Sequence, residues 1–259
     1  MTERLKGHVA LVTGGGRGIG RAISERLYRE GAELAICGTS SDVLEETAKT
    51  LQSEDGRGVF WRQCDVSSKE SVRALVESVA EQFGKVDILV NNAAVTLGEF
   101  GKDRINQRFD KIDEALWDRN MEVNLKGPWL LAREVIPYME RQKWGRIINI
   151  GSSTVYSGRG NCAPYIASKA GLIGLTRALA FDVGGFGVTV NLVSLGLTMT
   201  ERMQAAGYEE RAQRFVAMTP MQRIEAPDDI PGTVLFFASD DSAFVTAQVI
   251  SVDGGRSMH

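Results

Sequence analysis

The sequence predicts an α/β fold in which helices cover both faces of one doubly wound, parallel sheet of about seven strands. Short runs rich in Val, Ile and Leu alternate with longer amphipathic segments along the chain, which is the pattern of strand–helix–strand units. The runs lack polar–apolar alternation, as expected for strands that are buried on both faces. No Pro/Ser-rich linker divides the 259 residues, so we assign residues 1–259 to a single domain.

Each element follows from this pattern. The predicted strands are 8–13, 33–37, 58–62, 86–90, 146–150, 188–193 and 249–252, and the clearest predicted helices are 18–30, 68–83, 114–142, 164–186 and 227–239. Pro128 and Pro137 lie inside the segment 114–142, which predicts a kink or break there. The least regular stretches are 96–113 and 195–220. Long irregular stretches are often functional, and we expect 195–220 to form a mobile substrate lid.

Composition and charge exclude several kinds of function. Two histidines and three cysteines do not supply a local zinc-ligand set or a disulfide scaffold, so no metal is expected. The net charge of −3 gives no footprint for nucleic acid. The chain has neither a run of about 20 apolar residues nor a signal-peptide pattern at its start. We therefore expect a cytoplasmic protein with reduced thiols and no membrane partner.

A glycine-rich turn joins the first predicted strand to the first helix. Its glycines, Gly14, Gly18 and Gly20, depart from the general dinucleotide spacing. They nevertheless meet the same needs, which are a tight turn, close approach of backbone to a pyrophosphate, and packing of helix on strand. The helix N-terminus offers free N–H groups to phosphates. We predict that this turn, including Arg17 and Ile19, binds a dinucleotide; a plain glycine turn is the alternative.

The residues after the second predicted strand bear on the choice of cofactor. An NAD site usually has Asp or Glu at this point to bind the ribose, but here Thr39, Ser40 and Ser41 follow the strand. Arg17 and the hydroxyls of Thr39 and Ser40 could instead bind a 2′-phosphate. This favours NADP(H), with NAD(H) as the alternative. The three hydroxyl residues could also serve only to cap the next helix.

Tyr165 and Lys169 are four residues apart in a predicted helix, so their side chains lie on one face. An ammonium near a phenol lowers the phenol pKa from about 10, and a tyrosine so altered can act as a general acid/base near neutral pH. Such a pair also arises by chance. Ser152 makes a site more credible, because it directly follows the predicted strand 146–150 and ligands bind at the carboxyl ends of such strands.

Several short motifs occur together and in a specific order. They are Thr13-Gly14-x-x-x-Gly18-x-Gly20, Asp65-Val66, Asn91-Asn92-Ala93, Val123-Asn124-Leu125, Ser152, Tyr165-x-x-x-Lys169, Asn191 and Val252-Asp253-Gly254-Gly255. In this order the chain resembles the short-chain dehydrogenase/reductase family over nearly its whole length. The resemblance implies a Rossmann-like domain of seven strands that transfers a hydride between a nicotinamide cofactor and a substrate carbon.

The resemblance also implies roles for individual residues. Tyr165 would exchange a proton with the substrate oxygen, and Ser152 would polarise that oxygen. Lys169 would lower the pKa of Tyr165 and bind the nicotinamide ribose, and Asn124 would hold a water of a proton relay. The remaining cofactor contacts implied are Asp65 and Val66 at the adenine, Asn91 and Ala93 in the groove, and Thr198 and Thr200, with Thr200 at the carboxamide.

Some residues permit other interpretations or depart from the family pattern. Asn91, Asn92 and Asn191 could simply satisfy loop backbone, and this is the favoured interpretation for Asn191. Leu195 replaces the usual proline after the sixth strand, and we expect a looser turn there because the fixed φ of proline is lost. Ala94 replaces the usual glycine of Asn-Asn-Ala-Gly.

We predict an NADP-dependent enzyme that interconverts a secondary alcohol and a ketone of moderate, largely apolar size. A 3-oxoacyl-thioester reductase is the runner-up, because that group resembles this chain around Arg17 and Thr39. Enoyl reductases of the superfamily have the lysine six residues after the tyrosine. Here the sixth residue after Tyr165 is Gly171, so enoyl reduction is not expected. The substrate contacts are expected among Thr96, Leu97, Thr154, Tyr156, Asn161, Cys162, Met199, Met203, Tyr208 and Met218.

Two further expectations concern class and assembly. A non-catalytic nucleotide-binding regulator is the alternative from a different class, and it is disfavoured because Ser152, Tyr165 and Lys169 are all present. The segments 126–142 and 170–186 are more apolar than the covering of one sheet face requires. In the family these helices form dimer interfaces, so we expect a homo-oligomer, either a dimer or a tetramer.

Overall fold

The computed structural model describes residues 3–96, 108–158, 160–205, 207 and 209–258. In this part of the chain, seven parallel strands form one sheet in the order β3-β2-β1-β4-β5-β6-β7. The strands are β1 Val9–Thr13, β2 Glu33–Gly38, β3 Val59–Gln63, β4 Ile88–Asn91, β5 Gly145–Ser152, β6 Val188–Leu195 and β7 Val249–Val252. The predicted fold class is confirmed, and every predicted strand is present to within two residues at either end.

The helices lie between the strands. They are α1 Gly18–Arg29, α2 Ser41–Asp55, α3 Lys69–Phe83, α4 Glu114–Met121, α5 Gly127–Gln142, α6 Thr154–Ser157, α7 Ala163–Val183, α8 Glu201–Ala205, α9 Glu209–Ala217 and α10 Pro231–Ala238. Helix α2 was not among the clearest predicted helices. Its buried residues are Leu44, Thr47, Ala48 and Leu51, a narrow apolar stripe on an otherwise polar segment, and this explains its weak sequence pattern.

Two hydrophobic clusters, one on each face, enclose the sheet. Side chains of α3, α5 and α7 pack on one face around Val72, Leu131 and Val183. Side chains of α1, α2 and α10 pack on the other around Ile23 and Leu44. Because both faces are covered, the strands read as continuous apolar runs in the sequence.

The sheet has a switch point between β1 and β4. Strand β1 pairs in parallel with β2 on one side and with β4 on the other, so the chain builds one half of the sheet and then returns to build the second. The connections that leave β1 and β4 run in opposite directions, which opens a crevice at the carboxyl ends of these strands. The candidate site lies there.

The predicted helix 114–142 is interrupted, but not by kinks at its prolines. The π-helical turn Glu122–Lys126 separates α4 from α5, and Pro128 lies at the start of α5. Since Pro128 has no amide hydrogen, it cannot donate to the carbonyl of Asn124, and the normal i to i−4 register is lost at this turn. Pro137 stays inside α5. The interruption therefore precedes the first proline, at Asn124.

The predicted lid 195–220 contains the two short helices α8 and α9 rather than only irregular chain. The residues of the 96–113 loop between 97 and 107, including Leu97, lie outside the described residues, as does Tyr208. No helix in the described part of the chain is long and apolar enough to cross a membrane.

Candidate active site

One cleft of about 560 Å³ lies above the carboxyl ends of the strands. It brings together most residues of the predicted site. Those that line it are Gly14, Arg17, Gly18, Ile19, Gly20, Thr39, Ser40, Asp65, Val66, Ala93, Ser152, Tyr165, Lys169, Thr198 and Thr200. Asn91 and Asn124 are not part of the lining.

The glycine-rich turn forms one wall of this cleft. Gly14 and Gly18 have φ angles of +64° and +52°, a region that other residues rarely adopt. A Cβ on Gly20 would overlap the carbonyl oxygen of Gly14, so the turn can close against the helix only with glycine at position 20. The amide of Gly14 donates to the carbonyl of Cys37 at 2.7 Å, which ties the turn to β2.

The first turn of α1 is a ready anion site. Arg17 is the N-cap residue and its side chain makes no capping bond, and the first turn contains no acidic residue. The N–H groups of the first turn and the positive end of the helix dipole are therefore directed at a cleft lined by bare backbone. This arrangement fits the pyrophosphate of a dinucleotide.

Two hydroxyl residues after β2, Thr39 and Ser40, line the cleft. Ser40 is the N-cap residue of α2, but its side chain makes no capping hydrogen bond, and both Ser40 and Thr39 are exposed in the cleft. The first carboxylate after this strand, Asp42, is exposed and does not line the cleft. The alternative interpretation of these hydroxyls as helix caps is therefore not met for Ser40.

A small ionic network fixes Asp65 at the far end of the cleft. Its carboxylate accepts hydrogen bonds from the amide and hydroxyl of Ser67 at 3.0 and 2.7 Å and from the Arg119 guanidinium at 3.3 Å. Burial raises the pKa of Asp65, but these hydrogen bonds and the charge of Arg119 outweigh it and hold the pKa below its usual value. Asp65 is therefore an anion with a fixed orientation.

Asn91 does not line the groove, and this corrects the expectation for that residue. It is the last residue of β4, its side chain is buried, and its amide donates to Asn149 on β5 at 2.8 Å. Asn92, the first residue after β4, lines the cleft instead. The Asn92 amide donates to the carbonyl oxygens of Thr13 and Gly14 at 2.9 and 3.3 Å. Asn92 thus supports the turn backbone.

Ser152 and Tyr165 meet at the centre of the cleft. Ser152 ends β5, where its hydroxyl lies 2.9 Å from that of Thr154. Tyr165 lies in the first turn of α7 and is partly exposed to the cleft. Surrounding protein atoms desolvate the phenol and raise its pKa, while a hydrogen bond with Ser152 lowers it in part. A hydroxyl pair is therefore available at one point of the cleft wall.

Lys169 lies one turn after Tyr165, as the spacing predicts, and is buried. Its ammonium is 6.0 Å from the centre of the Tyr165 ring and donates to the carbonyl of Ile150 at 2.8 Å. Burial lowers the pKa of Lys169 to about 8. The net pKa of Tyr165 is raised rather than lowered as expected, because desolvation of the phenol dominates.

Asn124 occupies the π-helical turn and is buried. Its side-chain oxygen accepts from the amide of Val95 at 2.8 Å, and its side-chain amide donates to the carbonyl of Val95 at 3.1 Å and to the hydroxyl of Ser168 at 3.2 Å. The side chain thus fixes the backbone that follows β4 and does not face the cleft. Its role in a proton relay stays a prediction.

The base of the predicted lid is well ordered by its contacts. Leu195 pairs with Ser152 of β5 and with Val252 of β7, so the turn that follows it starts from a fixed strand. The looser turn expected after Leu195 from the loss of proline stays a prediction. Asn191 donates to the carbonyl of Val245 at 2.8 Å and accepts from the amide of Gln248 at 3.1 Å, the structural role favoured for it.

The structure gathers only some of the predicted substrate contacts. Thr96, Thr154 and Met203 line the cleft, whereas Tyr156, Asn161, Cys162, Met199 and Met218 are not in its lining. Residues that the sequence interpretation did not assign to the site also line it, including Cys37, Cys64, Arg119, Phe215 and Arg256. Cys37 is the penultimate residue of β2, and Cys64 directly follows β3. Their positions at the ends of neighbouring strands are the sequence signal that could have assigned them to the cleft.

Comparison with known proteins agrees with this geometry. A family model described as enoyl-(acyl carrier protein) reductase matches residues 14–257. The chain is 38% identical over 255 residues to the BbsD subunit of (2S)-[(R)-hydroxy(phenyl)methyl]succinyl-CoA dehydrogenase from Thauera aromatica, covering 98% of each chain. It is also 38% identical over 253 residues to the 3-oxoacyl-[acyl-carrier-protein] reductase FabG of Escherichia coli strain K12, again covering 98% of each.

Among solved structures, levodione reductase superposes with a TM-score of 0.90 and 31% identity, over 98% of each chain. The chain belongs to the short-chain dehydrogenase/reductase family. It is an NAD(P)-dependent oxidoreductase, and the cleft described above is where such a cofactor fits.

Proposed function

We propose that this enzyme uses NADP(H) to interconvert a secondary alcohol and a ketone, with Tyr165 as the general acid/base. The observation that carries the proposal is that Ser152, Tyr165 and Lys169 line one wall of the same cleft, with Ser152 close enough to Tyr165 to affect the pKa of its phenol. Ser152 ends β5, and Tyr165 and Lys169 lie in the first two turns of α7. The uncapped N-terminus of α1 lines the same cleft. Phosphate-binding and proton-transfer groups thus share one cleft.

When bound, the nicotinamide cofactor supplies or accepts the hydride. In reduction, the phenol of Tyr165 donates its proton to the substrate oxygen, and the Ser152 hydroxyl donates a hydrogen bond that stabilises negative charge on that oxygen. Because the pKa of Tyr165 is raised, the phenol is protonated at neutral pH and is a competent proton donor. Lys169, held by the carbonyl of Ile150, supplies positive charge beside the phenolate that remains.

The catalytic proposal is tested by Tyr165→Phe, which keeps the ring and removes the acid/base group. A substrate panel of ketones and alcohols, followed at the reduced-nicotinamide absorbance, first identifies a substrate. We expect kcat to fall at least about 100-fold in the variant, as is typical for loss of a general acid. NADPH binding to the variant should persist. Full activity of Tyr165→Phe would overturn its role.

The proposed preference for NADP(H) rests on Arg17, Thr39 and Ser40, which line the cleft. Asp42, the first carboxylate after β2, does not line it. Arg17→Ala should raise the KM for NADPH at least tenfold, corresponding to the loss of about 1.5–3 kcal/mol from a charge-assisted hydrogen bond. The KM for NADH should change little, because NADH has no 2′-phosphate. Arg21→Ala, which removes an arginine elsewhere on α1, is the control. Equal losses with both cofactors would contradict the assignment.

A 3-oxoacyl-thioester reductase is the second candidate. It is favoured by the named substrates of two relatives, a succinyl-CoA derivative and 3-oxoacyl groups on acyl carrier protein. Comparing kcat/KM for acetoacetyl-CoA and for unesterified ketones of similar size distinguishes the two. A clear advantage for the thioester would favour this candidate and narrow the substrate class.

We also propose that the enzyme acts in the cytoplasm. In support, Cys37, Cys64 and Cys162 are buried and are not joined by disulfides, as is usual for proteins of a reducing compartment. Localisation of a tagged chain by cell fractionation tests this.

A further inference from the structure

A buried carboxyl lies directly behind the cleft, outside the catalytic group. Glu225 follows the lid and is only 8% exposed, and neither of its carboxyl oxygens makes a hydrogen bond of normal geometry with any described residue. The hydroxyl of Thr198 is likewise buried without such a bond. An isolated carboxylate in these surroundings is costly, and such a group remains a neutral acid instead.

Glu225 is tied to the backbone that forms the cleft floor. Residues Thr198 and Glu225 form a parallel β-bridge, and the Met199 amide donates to the carbonyl of Glu225 at 2.8 Å. The carboxyl oxygen Oε2 packs so closely on Gly196 that a Cβ there would lie 2.9 Å from it. Gly196 and Thr198 both line the cleft. The carboxyl therefore supports the segment 196–200 from behind.

The charged groups around Glu225 do not offset a negative charge on it. A cavity of about 250 Å³ adjoins the carboxyl and is also lined by Arg223, Asp229, Asp253 and Arg256. Arg223 is engaged by Asp229 through two contacts of 2.6 Å, and Arg256 lies 4.0 Å over the ring of Phe215. Asp229 and Asp253 add repulsion. Burial first, and these charges second, raise the pKa of Glu225 to about 8, although Thr198 and Gly196 lower it in part.

We propose that Glu225 is a positioning residue of the cofactor site, which supports the segment 196–200 as a neutral acid, and that its deprotonation weakens binding of NADPH. The inference rests on the proposed function in one respect, that NADPH occupies the cleft. Ionised Glu225 must draw water into the adjoining cavity or displace Gly196 and Thr198, and either change disturbs the cleft floor. The phosphates of NADPH add negative charge nearby, which favours the neutral acid further.

The test measures the dissociation constant of NADPH from pH 7 to pH 9.5 by fluorescence titration. In the native protein the constant should rise at least about fivefold. In Glu225→Gln, which keeps the shape but cannot ionise, the rise should be at least about threefold smaller. Lys169, with a pKa of about 8, and Cys64 line the same cleft and titrate in both proteins, so only the difference between them reports on Glu225. Asp228→Asn, an exposed acid of the same turn, should behave as the native protein.

A second measurement needs no cofactor. Because the folded pKa of Glu225 lies above its ordinary value of 4.5, the native protein binds more protons than the unfolded chain between about pH 4.5 and 8. Its unfolding free energy should therefore fall across this window relative to that of the glutamine variant, and the difference should be constant above it. If the Glu225→Gln variant does not fold, Glu225→Ala is used in its place, because alanine also cannot ionise.

The outcomes separate the two proposals. Identical pH profiles of native protein and variant in both measurements would overturn the role of Glu225. A difference in stability without a difference in NADPH binding would show that Glu225 titrates but does not position the cofactor segment, which also overturns the proposal. Failure of the native protein to bind NADPH at pH 7 would refute the proposed cofactor instead, while the stability measurement still tests the titration.

Discussion

At the scale of single residues, Lys169 shows how function opposes stability in this protein. Its ammonium is 3% exposed and has one hydrogen bond, to the carbonyl of Ile150. Burial lowers its pKa from 10.5 to about 8, which means that the folded state holds the charge less favourably than water does. A side chain selected for stability alone would be apolar at this position, so the buried charge agrees with the role proposed for Lys169.

This argument predicts that Lys169→Met stabilises the protein and inactivates it. At pH 7 the unfolding free energy should increase by about 1–3 kcal/mol. Between about pH 8 and 10.5 the unfolded chain binds more protons than the native state, so native stability rises with pH and the advantage of the variant shrinks. Denaturant unfolding at several pH values measures both effects. Lys49→Met, at an exposed lysine of α2, should change stability by less than about 0.5 kcal/mol. A destabilised Met variant would contradict the interpretation.

Single residues also show how much of the candidate site could be predicted from the sequence. Ser152, Tyr165 and Lys169 were placed in one cleft by their spacing, by the end of a strand and by the family resemblance, and the structure brings them together there. Asn91 ends β4 and is buried, and the next residue, Asn92, lines the cleft. This difference was not predictable, because the last residue of the strand is not visible in a sequence where two asparagines are adjacent. The raised pKa of Tyr165 was not predictable either, since desolvation depends on packing that the sequence does not display.

At the scale of elements, the turn from β1 to α1 depends on glycine for space as well as for φ. A Cβ on Gly20 would overlap the carbonyl of Gly14 and lie close to the Asn92 amide, which itself binds that carbonyl. An added methyl group therefore pushes apart the strand, the turn and the helix together. The cleft wall and the α1 amides move with them.

Gly20→Ala should accordingly destabilise the fold by about 1–3 kcal/mol or more and weaken NADPH binding at least tenfold. Gly232→Ala is the matched control, since Gly232 is exposed in α10 with open space around its Cβ position. Alanine there should stabilise by about 0.5–1 kcal/mol through helix propensity. Denaturant unfolding and fluorescence titration measure the two effects. Native-like NADPH binding in Gly20→Ala would show that the turn does not form the phosphate site.

The π-helical turn between α4 and α5 marks the limit of prediction for an element. The sequence showed the prolines and therefore an interruption, but Pro128 acts on the residues before it. Its missing amide removes the partner of the Asn124 carbonyl, so the irregular turn falls at Glu122–Lys126. Such turns are frequent at functional sites. In this one, the Asn124 side chain forms hydrogen bonds with the backbone of Val95, which lines the cleft.

At the scale of the whole molecule, the doubly wound parallel sheet and its two helical layers followed from hydrophobic pattern and chain connectivity. Strands buried on both faces require covering helices, and right-handed crossovers then leave few topologies. The pattern could not show which helix faces remain uncovered. In the described part of the chain, Trp117 of α4, Trp129 of α5 and Phe181 of α7 stay exposed by 42%, 42% and 89%. Large apolar side chains exposed on neighbouring helices are typical of an interface.

We therefore predict that the enzyme is a dimer or tetramer through the face formed by α4, α5 and α7. Light scattering at micromolar concentration should give two or four times the chain mass of 28.3 kDa. The double variant Trp129→Glu/Phe181→Glu places charges on this face and should reduce the mass, from tetramer to dimer or from dimer to monomer, because unpaired charges at an interface core are strongly unfavourable. Phe244→Glu is the control, since Phe244 is fully exposed and belongs to the segment between α10 and β7 rather than to this face, and it should leave this interface intact. A native monomer would refute association, and dissociation by the Phe244 variant alone would place the interface at the segment before β7 instead.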